Sequence, residues 1–197
     1  MKTTSNFAFG QLMLRSTEAT DLDFILASEQ HRDNSLFIRQ WSAEQHLAAL
    51  EDANVGHFVI LGPDDYRPIG HVILVGLNDP DLTLELRRIV ITEKGRGYGR
   101  MAMRMIRAYA FEELACHRLW LDVMLYNKRA YKLYKSEGFK VEGIHRGAVR
   151  QGSRFLDVRV MSMLRREYYD RYQLQPRPTR LLPDCPCTGE SGRLVIV

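Results

Sequence analysis

Hydrophobic and polar positions alternate most clearly at residues 119–126, where Leu119, Leu121, Val123 and Leu125 interleave with Trp120, Asp122, Met124 and Tyr126. A period of two is the mark of a half-buried strand. The same reading predicts strands at residues 12–15, 57–61, 69–77, 82–91, 140–149 and 155–164. Turn residues separate several of them: Gly62-Pro63 through Pro68, Asn78-Asp79-Pro80-Asp81 and Gln151-Gly152-Ser153. Helical spacing appears at residues 17–30, where Leu22, Ile25 and Leu26 share a face and Thr17 or Thr20 is the expected cap. A second helix is predicted over 42–51, with Ser42 and Gln45 spaced as a capping box. A long amphipathic helix follows residue 99. Met101, Ala102, Met105, Ile106 and Tyr109 form its apolar face, and Arg100, Arg104 and Arg107 lie off it. Asn127 is the expected cap of a helix running to Glu137, with Gly138 as its stop. The order is β-α-α-β-β-β-α-β-α-β-β, an α/β (α+β) chain with a mixed sheet and helices on its faces.

Within residues 82–91, Leu82, Leu84 and Leu86 alternate with Thr83, Glu85 and Arg87 until the pattern slips at Arg87-Arg88. A β-bulge produces such a slip; so does a short strand buried on both faces after Arg88. After about Tyr172 the composition changes. Four of the seven prolines (Pro176, Pro178, Pro183 and Pro186) fall there, so residues 1–172 are expected to form one domain and residues 173–197 an extended tail. The tail ends in the apolar run Leu194-Val195-Ile196-Val197, which would suit docking on the domain or on a second subunit of a homodimer.

Bulk properties narrow the class without naming it. The chain has 197 residues, 28 basic and 24 acidic, for a formal charge of +4. The basic residues are dispersed, which argues against a nucleic-acid partner. An odd set of three cysteines argues against a disulfide framework and for a reducing cytoplasm. Residues 1–10 carry no signal-type pattern, and no stretch reaches the length of a membrane span. Cys185-Pro186-Cys187 lacks the second pair that a zinc site needs, so no metal is expected.

The chemistry concentrates in Lys94-Gly95-Arg96-Gly97-Tyr98-Gly99-Arg100, between a strand and a helix. Glycines admit close approach to the backbone, and the free N–H groups of a helix start attract phosphates. A dinucleotide fingerprint would place a third glycine where Arg100 stands and an acid near Asp122, and it leaves the following segment unexplained. A plain strand-to-helix turn is the bland alternative. The following segment is Asn127-Lys128-Arg129-Ala130-Tyr131-Lys132-Leu133-Tyr134-Lys135-Ser136-Glu137-Gly138-Phe139.

Together, the glycine loop and this segment resemble the GNAT superfamily of N-acetyltransferases, over roughly residues 12–166. That family has a Gln/Arg-x-x-Gly-x-Gly/Ala loop, then a strand, then an Asn-x-x-Ala-x-x-x-Tyr-x-x-x-Gly-Phe helix. Lys94 departs from its usual first loop residue. The resemblance implies a mostly antiparallel sheet with helices on both faces and a bulged central strand that splays to admit pantetheine. It also implies acetyl-CoA as cosubstrate, held by Ile89, Val90, Ile91, the loop from Lys94 to Arg100, and Asn127. Tyr134 is then expected to protonate the leaving thiolate, and Glu85 to act as base, with His145, Glu142 and Asp157 in reserve. Phe37, Trp41 and Tyr126 are candidates for the acceptor pocket, with core packing the competing role for Phe37 and Trp41. The Leu84 to Val90 and Trp41 to His46 runs look like the branch containing ribosomal-protein N-terminal and spermidine acetyltransferases. The acceptor is accordingly a small amine such as a polyamine or amino sugar, or a protein α-amine. A non-catalytic acetyl-CoA sensor is the reading from another class.

Overall fold

The computed structural model describes residues 6–63 and 65–174. The proline-rich segment from residue 175, with Cys185, Cys187 and the apolar end at Leu194-Val195-Ile196-Val197, lies outside them. Eight strands form one sheet: β1 (Asn6–Phe9), β2 (Leu12–Ser16), β3 (Val55–Leu61), β4 (Pro68–Val75), β5 (Thr83–Ile91), β6 (Arg118–Met124), β7 (Lys140–Gln151) and β8 (Arg154–Leu164). Their order is β1-β2-β3-β4-β5-β6-β8-β7. Every neighbouring pair is antiparallel except β5 with β6. The helices are α1 (Leu22–Gln30), α2 (Arg32–Ser35), α3 (Ala43–Glu51), α4 (Tyr98–Ala108), α5 (Lys128–Ser136) and α6 (Arg165–Tyr172). No helix among the described residues is long and apolar enough to cross a membrane.

Two features of β5 shape the site. Ile73 of β4 faces Arg88 while Leu74 faces Leu86, so Arg87 is an extra residue and the bulge is real. One extra residue reverses the side on which every later residue points. Leu84 and Leu86 enter the apolar core, and Ile91 rejoins it after the bulge. Arg88 is turned to the other face, toward α1. The second feature is short pairing. β5 meets β6 only at Thr83–Arg118, Leu84–Leu119 and Glu85–Trp120. Beyond Glu85 the two strands separate, and among the described residues the edge of β5 that faces away from β4 has no strand partner there.

Packing explains most of the helices. Ala102, Met103, Met105 and Ile106 of α4 are fully buried in the cluster that includes Leu12, Leu14, Ile60 and Leu119. α1 lies against β4 and β5, and α3 against β3. The capping box at α3 forms: the Gln45 N–H reaches Ser42 Oγ at 3.4 Å, and the Ser42 N–H reaches Gln45 Oε1 at 2.9 Å. The start of α1 differs from expectation. Glu18, not a threonine, precedes a 3-10 turn at Ala19–Asp21, and the α-helix begins at Leu22. Arg107 also differs. It is 1% exposed because the carboxylate and carbonyl of Glu137 receive its guanidinium. β1, α2 and α6 were not predicted. β1 and α2 are four residues each, and α6 buries only Tyr168 and Tyr169, so none carries a periodic apolar stripe.

Candidate active site

Where β5 and β6 part, a cavity of about 960 Å³ opens. At one end stands the glycine loop. Gly95 and Gly97 have φ of +82° and +80°, the left-handed region that glycine adopts without strain. Gly97 caps α4, and its carbonyl accepts the Arg100 and Met101 N–H groups at 3.0 and 3.1 Å. The backbone donors of this first turn and the positive end of the helix dipole make the loop fit for a phosphate.

The loop side chains divide. Lys94 and Arg100 line the cavity, and Arg96 does not. Arg96 is 61% exposed and pairs with Glu93 at 3.3 Å. Arg100 donates to Glu137 and to Ser136 Oγ. Lys94 crosses to α2, where its Nζ donates to Asn34 Oδ1 at 2.6 Å. Burial, and then the charge of Arg129, hold its ammonium below the ordinary lysine range.

Toward the middle, Ile89, Val90 and Ile91 form the β5 wall, and Tyr134 and Asn127 stand opposite on and before α5. Asn127 Oδ1 caps the helix by accepting the Ala130 N–H at 3.1 Å. Tyr134 is 8% exposed. Burial first, and the Asp122 carboxylate second, raise its phenol above the usual tyrosine range, so it keeps its proton.

The far end carries two carboxylates. Glu85 is gripped by Arg87 through Nε at 2.6 Å and Nη2 at 2.5 Å. Asp122 lies beyond the last parallel pair. Solvent reaches it through the cavity, yet desolvation and the neighbouring Glu85 charge raise its carboxyl above the usual range. Phe37, Trp41 and Tyr126 all reach this cavity, half-buried or exposed in its wall. The Tyr126 hydroxyl donates to the Leu36 carbonyl, and its ring lies 5.7 Å from that of Phe37.

The structure thus brings together every residue expected at the site except Arg96. The reserve residues lie elsewhere. Glu142 is paired with Arg118 and accepts from Ser162 Oγ at 2.6 Å, and with His145 it lines a separate hollow. Asp157 accepts the Gly147 N–H at 2.8 Å. Sequence reasoning weighed Asp122 only as the acid of a dinucleotide site, although its place on the polar side of the β6 alternation was visible. Arg87 and Asn34 carried no local signal. Among the described residues, no group of three or more His, Cys, Asp or Glu side chains is placed to hold a metal ion.

Comparison with known proteins agrees with this geometry. Residues 18–139 match the profile of the acetyltransferase (GNAT) family. The spermidine N(1)-acetyltransferase of Vibrio cholerae is 28% identical over 171 residues, covering 82% of this chain and 97% of that protein. The Escherichia coli spermidine N(1)-acetyltransferase is 29% identical over 141 residues, 66% of this chain and 73% of that one. The Vibrio cholerae enzyme solved with CoA and spermine superposes with a TM-score of 0.72 at 28% identity, covering 80% of this chain and 98% of that chain. Another structure of the Vibrio cholerae enzyme is dodecameric. The family profile spans more than half of the chain, and the similarity to spermidine acetyltransferases agrees with it: the chain belongs to the GNAT family and is an acetyl-CoA-dependent N-acetyltransferase.

Proposed function

We propose that the enzyme acetylates a primary amine of a polyamine such as spermidine. The observation that carries this reading is the pair of carboxylates, Glu85 and Asp122, at the end of the cavity away from the phosphate-binding loop. An ammonium group entering there meets Asp122 beside the Glu85–Arg87 ion pair, and the similarity to spermidine acetyltransferases supports the same class of acceptor.

In the proposed reaction, Gly95, Gly97 and Gly99, with Lys94 and Arg100, hold the pyrophosphate, and Asn127 bonds the coenzyme. The backbone of Ile89, Val90 and Ile91 pairs with pantetheine, and the Val90 N–H polarises the thioester carbonyl. Glu85 takes one proton from the ammonium, directly or through water, which frees the lone pair. The nitrogen attacks the carbonyl carbon, the C–S bond breaks, Tyr134 gives its proton to the departing thiolate, and the second proton shed by the nitrogen passes through water to restore the phenol. A phenol that stays protonated is in the right state for that step. Phe37, Trp41 and Tyr126 flank the acceptor chain. The reading places the enzyme in the cytoplasm and is compatible with self-assembly.

The test is thiol release from acetyl-CoA with spermidine, aminoglycosides and short peptides bearing free N-termini. Release with spermidine is expected. Release with peptides alone would replace the polyamine by a protein α-amine, and acetyl-CoA binding without release would overturn the polyamine in favour of an acceptor outside this set. Tyr134→Phe is expected to lower kcat about tenfold or more with unchanged acetyl-CoA affinity; an unchanged kcat would remove Tyr134 from the mechanism.

A further inference from the structure

Beneath the acceptor end lies a buried polar cluster that the chemistry above does not use. Glu29 of α1 is 1% exposed. Its Oε1 accepts from Arg88 Nη1 at 2.5 Å and from His71 Nε2 at 3.2 Å, and it lies 3.4 Å from His46 Nε2. Its Oε2 accepts the Trp41 backbone N–H at 3.2 Å. Arg88 uses its other amino group on the Arg39 carbonyl, and its guanidinium lies 4.6 Å from the centre of the Trp41 ring. One ion pair therefore binds α1, the bulged strand β5 and the backbone at residues 39 and 41.

Stability is a poor reason to keep such a pair. Removing two charges from water costs several kcal/mol by rough estimate, and apolar residues of the same volume often do as well. Geometry is a better reason. Without the extra residue at Arg87, the alternation of β5 would send Arg88 into the apolar core with Leu84 and Leu86. The bulge is what lets Arg87 grip Glu85 in the cavity while Arg88 meets Glu29 behind it. The same guanidinium then sets how far residues 39–41 stand from the strand that carries Glu85 and Val90.

We propose that Glu29 and Arg88 are positioning residues for acyl transfer, a buried ion pair that holds the acceptor wall at residues 39–41 in register with the bulged strand where the amine reacts. This rests on the acyl-transfer reading above. A misplacement of about 1 Å at a reacting centre can cost on the order of a hundredfold in rate, so a pair that touches no substrate can still control turnover.

Arg88→Lys tests it, because one ammonium can satisfy Glu29 but cannot also reach the Arg39 carbonyl as a planar fork does. Steady-state kinetics with spermidine and backbone hydrogen exchange are measured on the full chain. The kcat with spermidine is expected to fall about tenfold with the acetyl-CoA KM unchanged. Amides at residues 36–42 are expected to exchange about tenfold faster while those of β3 and β4 keep their protection. Unchanged kinetics in the folded variant, equal rises in both KM values, or faster exchange throughout the sheet would overturn the proposal. Glu29→Gln is the second variant, with the same signature expected, should Arg88→Lys fail to fold. If the wild-type enzyme transfers nothing to spermidine, the polyamine reading falls. The exchange pattern then decides this proposal alone: loosening confined to 36–42 supports it, and any other pattern overturns it.

Discussion

Two glutamates are almost wholly buried beneath arginines, one on each side of the cavity, and their partners differ in kind. Glu137, 2% exposed at the end of α5, receives Arg100, Arg104 and Arg107 from one face of α4. Glu29 receives one arginine and shares its remaining contacts with His71, His46 and a backbone amide. The first cluster joins the helix of the phosphate loop to the helix of Tyr134 with permanent cations. The second joins the acceptor wall to the sheet through one arginine and two buried imidazoles. A molecule built this way places its buried histidines on the acceptor side, and with them a dependence on pH.

The largest expected effect lies on the cofactor side. Glu137→Ala leaves the buried Arg107 guanidinium unpaired, which should cost about 3–5 kcal/mol in urea unfolding. A loss below about 1 kcal/mol would mean that the arginines are adequately solvated and that the cluster is a surface feature.

The acceptor side should show itself in pH dependence. Burial, reinforced by the charges of His71, His46 and Arg88, pushes His57 down to about 3 from an ordinary 6.5, against a smaller opposing pull from Glu29. Burial also lowers His71. Burial alone would raise the Glu29 carboxyl, but the hydrogen bonds from His46 and His71 and the charge of Arg88 hold it well below the carboxylate range. The unfolded chain therefore binds a proton at His57 below pH 6.5 and the folded chain does not until about pH 3. As pH is lowered across that window, stability should fall by about 1.4 kcal/mol per pH unit on account of His57. Unfolding midpoints of wild type and His57→Gln between pH 7 and about pH 4 check this, with a flatter slope expected in the variant. Equal slopes would erase the contrast between the two sides.

The smallest effect belongs to Arg96. Its guanidinium is exposed and turned to Glu93, so Arg96→Ala should leave acetyl-CoA affinity unchanged. A loss of about tenfold by calorimetry would return it to the phosphate site.

Legibility in the sequence followed the range of the interactions. The loop and the capped helix before Gly138 are local and stand in the structure as read, whereas the alternation of β6 holds only to Val123: the strand ends at Met124, which is buried, and Leu125 and Tyr126 lie beyond it. Even the bulge left a trace, because an inserted residue shifts the phase of a strand at Arg87-Arg88. The Glu29 cluster left none. Its members lie on α1, α3, β3, β4 and β5, and nothing within any one segment marks His46, His57 or His71 as partners. Arg107 was misread for the same reason: its carboxylate partner is thirty positions away on another helix. Asp122 was visible as a polar position, but its importance depends on where β5 and β6 separate, which only the pairing register reveals.

That separation also bears on how the molecule carries load. Among the described residues, the ladder that joins the β1–β5 half of the sheet to the β6–β8 half has three residue pairs, extended only at its start by the Leu82 carbonyl, which accepts the His117 N–H at 2.8 Å. Tension applied across the sheet would concentrate on this narrow seam before any longer ladder felt it. A cosubstrate lying in the gap, bonded to strand on one side and helix on the other, would act as a splint, so the loaded enzyme should withstand greater force before its two halves part.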